Sequence, residues 1–76
     1  MYHLKLEGSG EYLACVDSSN GYKNCRHTMN RAEAEPFECG SYAGYVARQM
    51  HANGIPDVVV VKPYWFFGQR ERIIRP

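Results

Sequence analysis

The run "DVVVV" at residues 57–61, with Pro56 before it and Pro63 two residues beyond, constrains this chain more than any other stretch. Consecutive β-branched residues in so short a run disfavour a helix and fit a strand with apolar side chains on both faces. Such a strand needs cover above and below. The chain has 76 residues, which is one domain at most. A domain of that size buries only about 60% of the surface its unfolded chain exposes. The cover therefore has to come from few elements, or from a partner.

Local patterns supply those elements. "YHLKL" (2–6) alternates, with Tyr2, Leu4 and Leu6 on one face and His3 and Lys5 on a solvated one. "EGSGE" (7–11) reads as a turn and "YLACVD" (12–17) as a second strand. Asn20-Gly21 predicts a two-residue hairpin turn, because both residues accept the positive φ of type I′. A third strand follows over 22–29, with Cys25, His27 and Met29 turned inward. Asn30 is placed to cap a short helical turn, with Glu33 completing a capping box before Pro36. In "GSYAGYVARQMHANG", Ala43, Val46, Ala47 and Met50 fall on one face of a helix. Ser41 is its expected N-cap and Gly54 its C-terminal stop.

The order is β-β-β-α-β. It predicts an α+β domain over residues 1–63: two layers, with one helix packed on one face of an antiparallel sheet. The other face is left to solvent, to the C-terminal extension, or to another protein.

That extension, residues 64–76, begins with Tyr64, Trp65, Phe66 and Phe67 and ends in a basic stretch around Ile73 and Ile74. Rings of this size bury about 150–250 Å² each when enclosed. Two readings stay open: an added edge strand with alternate rings under the sheet, or a contact arm. The second makes Tyr64, Trp65, Phe66 and Phe67, with Arg70 and Arg72, anchors for a partner, since aromatics and arginine are the enriched anchor types. Tyr42 and Tyr45, which share with Gln49 a flank of the helix beside its apolar stripe, either rim the core or form a second candidate patch.

Charge is uneven. Residues 1–61 carry five basic and seven acidic side chains, net −2, and residues 62–76 carry four basic and one acidic, net +3. The tail could stack single-stranded nucleic acid between rings and arginines, but so small an excess makes nucleic acid an unlikely partner. No run approaches the apolar length of a membrane span and no leader-like segment opens the chain, so a cytoplasmic protein is expected. The three cysteines fit free thiols rather than a disulfide scaffold. Cys15, Cys25, Cys39 and His27 are ligand types, yet lack knuckle spacing. With a two-residue turn, Cys15 opposes Arg26 and points away from Cys25. No metal, cofactor or catalytic group is expected: Cys25 and His27 have no orienting carboxylate or oxyanion hole that the sequence reveals.

The stretches "EYLACVDSSNGYKNCRHTMNRAEAEPFECGSYAGYVARQM" and "GIPDVVVVKP" resemble small proteins carried by bacteriophages and other mobile elements. Ala34-x-x-Phe37, Ala43 and Ala47 in a helix, Gly54, and a valine strand ending in Lys62-Pro63 carry the likeness, over about residues 11–63. Such proteins, anti-CRISPR inhibitors among them, block a host enzyme or defence complex by binding it. The resemblance implies a non-catalytic inhibitor in the host cytoplasm with a host protein as partner. The tail as the binding element, or as the contact of a homodimer, comes from the residues alone.

Overall fold

The computed structural model describes residues 1–63 and 71–75. The strands are β1 (His3–Leu6), β2 (Tyr12–Cys15), β3 (Arg26–Thr28), β4 (Val58–Pro63) and β5 (Glu71–Ile74), and the helix is α1 (Gly40–Ala52). All neighbouring strands are antiparallel, in the order β3-β2-β1-β4-β5. The domain is α+β, with one helix on one face of an open sheet.

The valine run occupies a central strand and is buried on both faces. Val58 and Val60 pack with Leu4, Leu13, Phe37 and the helical stripe Ala43, Val46, Ala47 and Met50. Val59 and Val61 pack on the other face with Tyr12 and Ala34. The small residues Ala43 and Ala47 are fully buried. Gly40 lets the start of the helix approach Tyr2, since a Cβ there would meet its ring at 2.9 Å.

The helix ends as its sequence predicts. Gly54 adopts φ 89°, its N–H bonds the His51 carbonyl, and Ile55 N–H bonds that of Met50. This is a Schellman stop. The start differs. Cys39 is the N-cap, not Ser41, and the Ser41 hydroxyl instead lies 2.9 Å from the Cys39 sulfur. Asn30 does cap a 3-10 turn at Arg31–Glu33 by accepting from Ala32 N–H. The reciprocal half of the box is absent, because Glu33 takes the Thr28 hydroxyl and Asn30 N–H bonds that same hydroxyl.

Three further expectations are corrected. His3 is buried, 9% exposed. Its face of the sheet is covered by the segment after β3, and its Nδ1 lies 3.2 Å from the Glu35 carbonyl oxygen. The β2–β3 connection is not a two-residue hairpin. Asn20 and Gly21 do take positive φ, 52° and 65°, but Tyr22 follows at 67°, and pairing resumes only at Cys15–Arg26. Cys15 thus opposes Arg26 as expected, while Leu13 opposes His27, because a bulge at Ala14 shifts the register between them. Finally, His27 and Met29 are exposed rather than inward. His27 lies opposite Leu13 on the helix side, but α1 packs chiefly over β4 and β1 and leaves the β3 edge uncovered.

Candidate functional site

The segment from Asn30 to Phe37 answers what covers the second face. Ala34 joins the Val59–Val61 cluster, whereas Phe37 joins the helix-side core, so the chain passes from one face to the other. It is held there by its backbone. Glu35 N–H bonds the Leu13 carbonyl, Phe37 and Tyr2 exchange two backbone bonds, and the Glu35 carboxylate accepts from Val16 N–H. Between this strap and the sheet lies an open cavity of about 690 Å³, with His3, Tyr12 and Arg31 in its lining and Met1 and Met29 among its exposed residues.

Beside the cavity, Glu71 gathers three donors. Lys5 Nζ lies 2.9 Å from Oε1, Arg31 Nη1 lies 3.4 Å from Oε2, and the Tyr12 hydroxyl donates to Oε2. The side chain is only 10% exposed. Burial pushes its carboxyl up, but the Tyr12 and Lys5 hydrogen bonds and the charges of Lys5 and Arg31 outweigh this and hold it below the ordinary carboxylate range. Tyr12 moves the other way. Burial first, then the bond to Glu71 and its charge, push the phenol up to about 12. An ionised carboxylate with its lone pairs engaged by three donors acts as a structural anion, not as a poised base. A second pair on the exposed rim joins Arg75 to Glu7 through two contacts of 2.7 Å.

Tyr42 and Tyr45 stand on the surface of the helix. Tyr42 and Tyr45 are 57% and 51% exposed. Their rings stack at 6.3 Å with 20° between planes, and Tyr42 also meets Phe37 at 5.9 Å. Burial, followed by the nearby Tyr45, Cys25 and Tyr42, raises the Tyr22 phenol. Tyr22, in the β2–β3 connection, is half-buried against the same helix-side core as Phe37, a position that sequence reasoning did not include. Of the tail, Arg72 is exposed on β5. Tyr64, Trp65, Phe66, Phe67 and Arg70 lie outside the described residues.

The thiols and His27 are dispersed among other partners. Cys25 Sγ sits 3.3 Å from Asp17 N and 3.6 Å from its carbonyl oxygen. His27 Nδ1 is 3.5 Å from Glu11. Cys39 stands at the helix start with Ser41. Among the described residues no three His, Cys, Asp or Glu side chains converge as metal ligands, and no helix is long and apolar enough to cross a membrane.

The Glu71 cluster had no sequence signal. It depends on which strand β5 joins, and nothing local in "RERII" states that. Tyr22 had a weak one, as the residue after a predicted turn. No family model matches the chain, and no curated protein or solved structure matches it.

Proposed function

We propose that this chain is a non-catalytic protein-binding module that acts by occupying a surface of its partner. The observation that carries the reading is the Tyr42–Tyr45 stack, more than half exposed on the flank of a helix whose apolar stripe is locked into the core. Two large amphipathic rings, pre-ordered by each other and by Phe37, lose little side-chain freedom on binding. That is the property of an interface anchor. The aromatic and basic residues Tyr64, Trp65, Phe66, Phe67, Arg70 and Arg72 extend the contact in this reading. The resemblance to phage-borne proteins suggests the partner: a host enzyme or defence complex in the bacterial cytoplasm, blocked sterically. Nucleic acid draws less support, because Arg75 is committed to Glu7.

The test is affinity capture from bacterial lysate with the wild-type chain and a folded Tyr42→Ala/Tyr45→Ala variant. A partner enriched by the wild type and lost with the variant supports the reading. Equal recovery by both removes the patch from the interface.

A further inference from the structure

The outer edge of β5 offers a different surface, and its backbone bonding can be read from the register. Glu7 N–H bonds the Asp57 carbonyl at 2.9 Å. That pair continues the β1–β4 ladder of His3–Val61 and Lys5–Val59. Hydrogen-bonded and non-bonded pairs alternate in an antiparallel ladder. Val59 and Val61 therefore direct their N–H and C=O groups to β1, and Val60 and Lys62 direct theirs to β5. Pro63, which has no N–H, stands where none is required of it on the β5 side. Opposite them, Ile74 and Arg72 complete the bonded pairs with Val60 and Lys62. Ile73, and by the same alternation Glu71 and Arg75, point their backbone groups away from the sheet. Among the described residues no strand meets them there.

β5 is four residues long and carries Glu71 and Arg72, yet it also exposes apolar side chains. Edge strands are commonly blunted by charge or by shortness. Here Ile73 and Ile74 are 47% and 39% exposed, one on each face. Arg75, the charge that follows, is turned back onto Glu7.

We infer that β5 pairs with β5 of a second copy of this chain, antiparallel, about a two-fold axis through Ile73. The register follows from the edge. Only Glu71, Ile73 and Arg75 present backbone groups, so bonded pairs must match odd positions with odd. Axes through Glu71, Arg72 or Arg75 set like charges opposite each other, which is unfavourable, and an axis through Ile74 bonds only Ile73 with Arg75 and leaves Glu71 outside the pairing. An axis through Ile73 joins Ile73 to Ile73 and sets Glu71 against Arg75 of the second copy, so like charges do not meet, while each of these side chains keeps its partners within its own chain. On the other face it sets Ile74 opposite Arg72, whose alkyl stem can cover it. The result is a continuous ten-stranded sheet in which the two Ile73 side chains bury each other and each Ile74 lies against an Arg72 stem. This edge is separate from the tyrosine patch, and the inference holds whether or not that patch binds.

The test measures molar mass by sedimentation over a concentration series for the wild type, Ile73→Lys and Ile73→Glu, each checked for native far-ultraviolet circular dichroism. The wild type should approach twice the chain mass. Each variant alone should dissociate about tenfold more readily, since like charges then face across the axis. Mixing the two variants should restore the dimer, as lysine meets glutamate. A wild type that stays monomeric, variants that dimerise like it, or a mixture that gains nothing each overturn the pairing. Amide exchange on the wild type tests the same point without substitution. The Ile73 N–H should lose protection on dilution while Arg72 and Ile74 keep theirs; an Ile73 amide indifferent to concentration also overturns it.

Discussion

Tyr12 donates its phenolic hydrogen to Glu71, tying β2 to β5 across the two strands that separate them. The ladder alone would hold them apart. Tyr12 opposes Lys5, which opposes Val59, whereas Glu71 opposes Pro63. Four residues of strand separate Val59 from Pro63, roughly 13 Å. The long side chains of Tyr12 and Glu71 close that offset on the face opposite the helix, helped by the twist that antiparallel sheets ordinarily carry. Arg31 then closes the cluster from the strap. One carboxylate thus links β1, β2, β5 and the segment after β3.

Acid should release this link. A carboxyl that folding depresses contributes stability that is present above its unfolded value, about 4.3, and is lost as pH falls through its folded value. The urea midpoint of the wild type should therefore fall on acidification below about pH 4.5. Glu71→Gln should be less stable by about 1–3 kcal/mol at neutral pH, since it removes the charged acceptor of three donors. Its acid dependence should also be flatter. An unchanged midpoint in Glu71→Gln at pH 7 would show that the cluster adds nothing.

Alkali tests the other partner. The Tyr12 phenol ionises near 12 in the folded chain against about 10 when unfolded. A raised phenol contributes stability fully present below its unfolded value and lost as pH rises toward the folded one. Absorbance titration should show one phenol ionising well after the ordinary tyrosines, and Tyr12→Phe should delete that late step. Tyr22, also raised, should remain in the variant as a smaller delay.

Much of the fold was legible because its signals are local. Alternation placed Tyr2, Leu4 and Leu6 on one face, period 3.6 selected Ala43, Val46, Ala47 and Met50, and the β-branched run marked a strand buried on both sides. What sequence reading missed is non-local. His3 alternates as a polar-face residue, and only the strap that crosses above it makes it buried. His27 and Met29 have the softness of inward residues, but the helix stops short of the β3 edge where His27 lies, and Met29 lies past the end of β3 at the rim of the open cavity under the strap. An added edge strand was one open reading of the extension, but nothing local in the basic stretch around Glu71 says that pairing with β4 brings its carboxylate to Lys5, Tyr12 and Arg31. The site followed the same division: Tyr42 and Tyr45 could be read from helical spacing, whereas the seat of Tyr22 against the helix-side core depends on a left-handed connection.

The helix stop gives a sharper test of local reading. At φ 89° Gly54 holds a conformation that residues with a Cβ adopt at a cost. No neighbour lies within 4 Å of a Cβ built there, so crowding does not enter. Gly54→Ala should lower stability by about 1 kcal/mol through backbone strain alone. A melting temperature equal to wild type would mean that the chain stops the helix another way.

Cys39 should be the most reactive of the three thiols. It is exposed, whereas Cys15 and Cys25 are half-buried. The Ser41 hydroxyl beside it, followed by the nearby N–H groups of Tyr42 and Ser41, holds its thiol below the ordinary range. Because thiolate is the reacting form, labelling by iodoacetamide should reach Cys39 first and at lower pH than the others. Ser41→Ala removes the leading cause while leaving exposure and helix position in place, so it should slow labelling at Cys39 near neutral pH and leave Cys15 and Cys25 unchanged. Peptide mass mapping after short exposures reads both effects. Equal labelling of the three cysteines in the folded chain, or a Ser41→Ala variant as fast as wild type, would show that the hydroxyl does not tune this thiol.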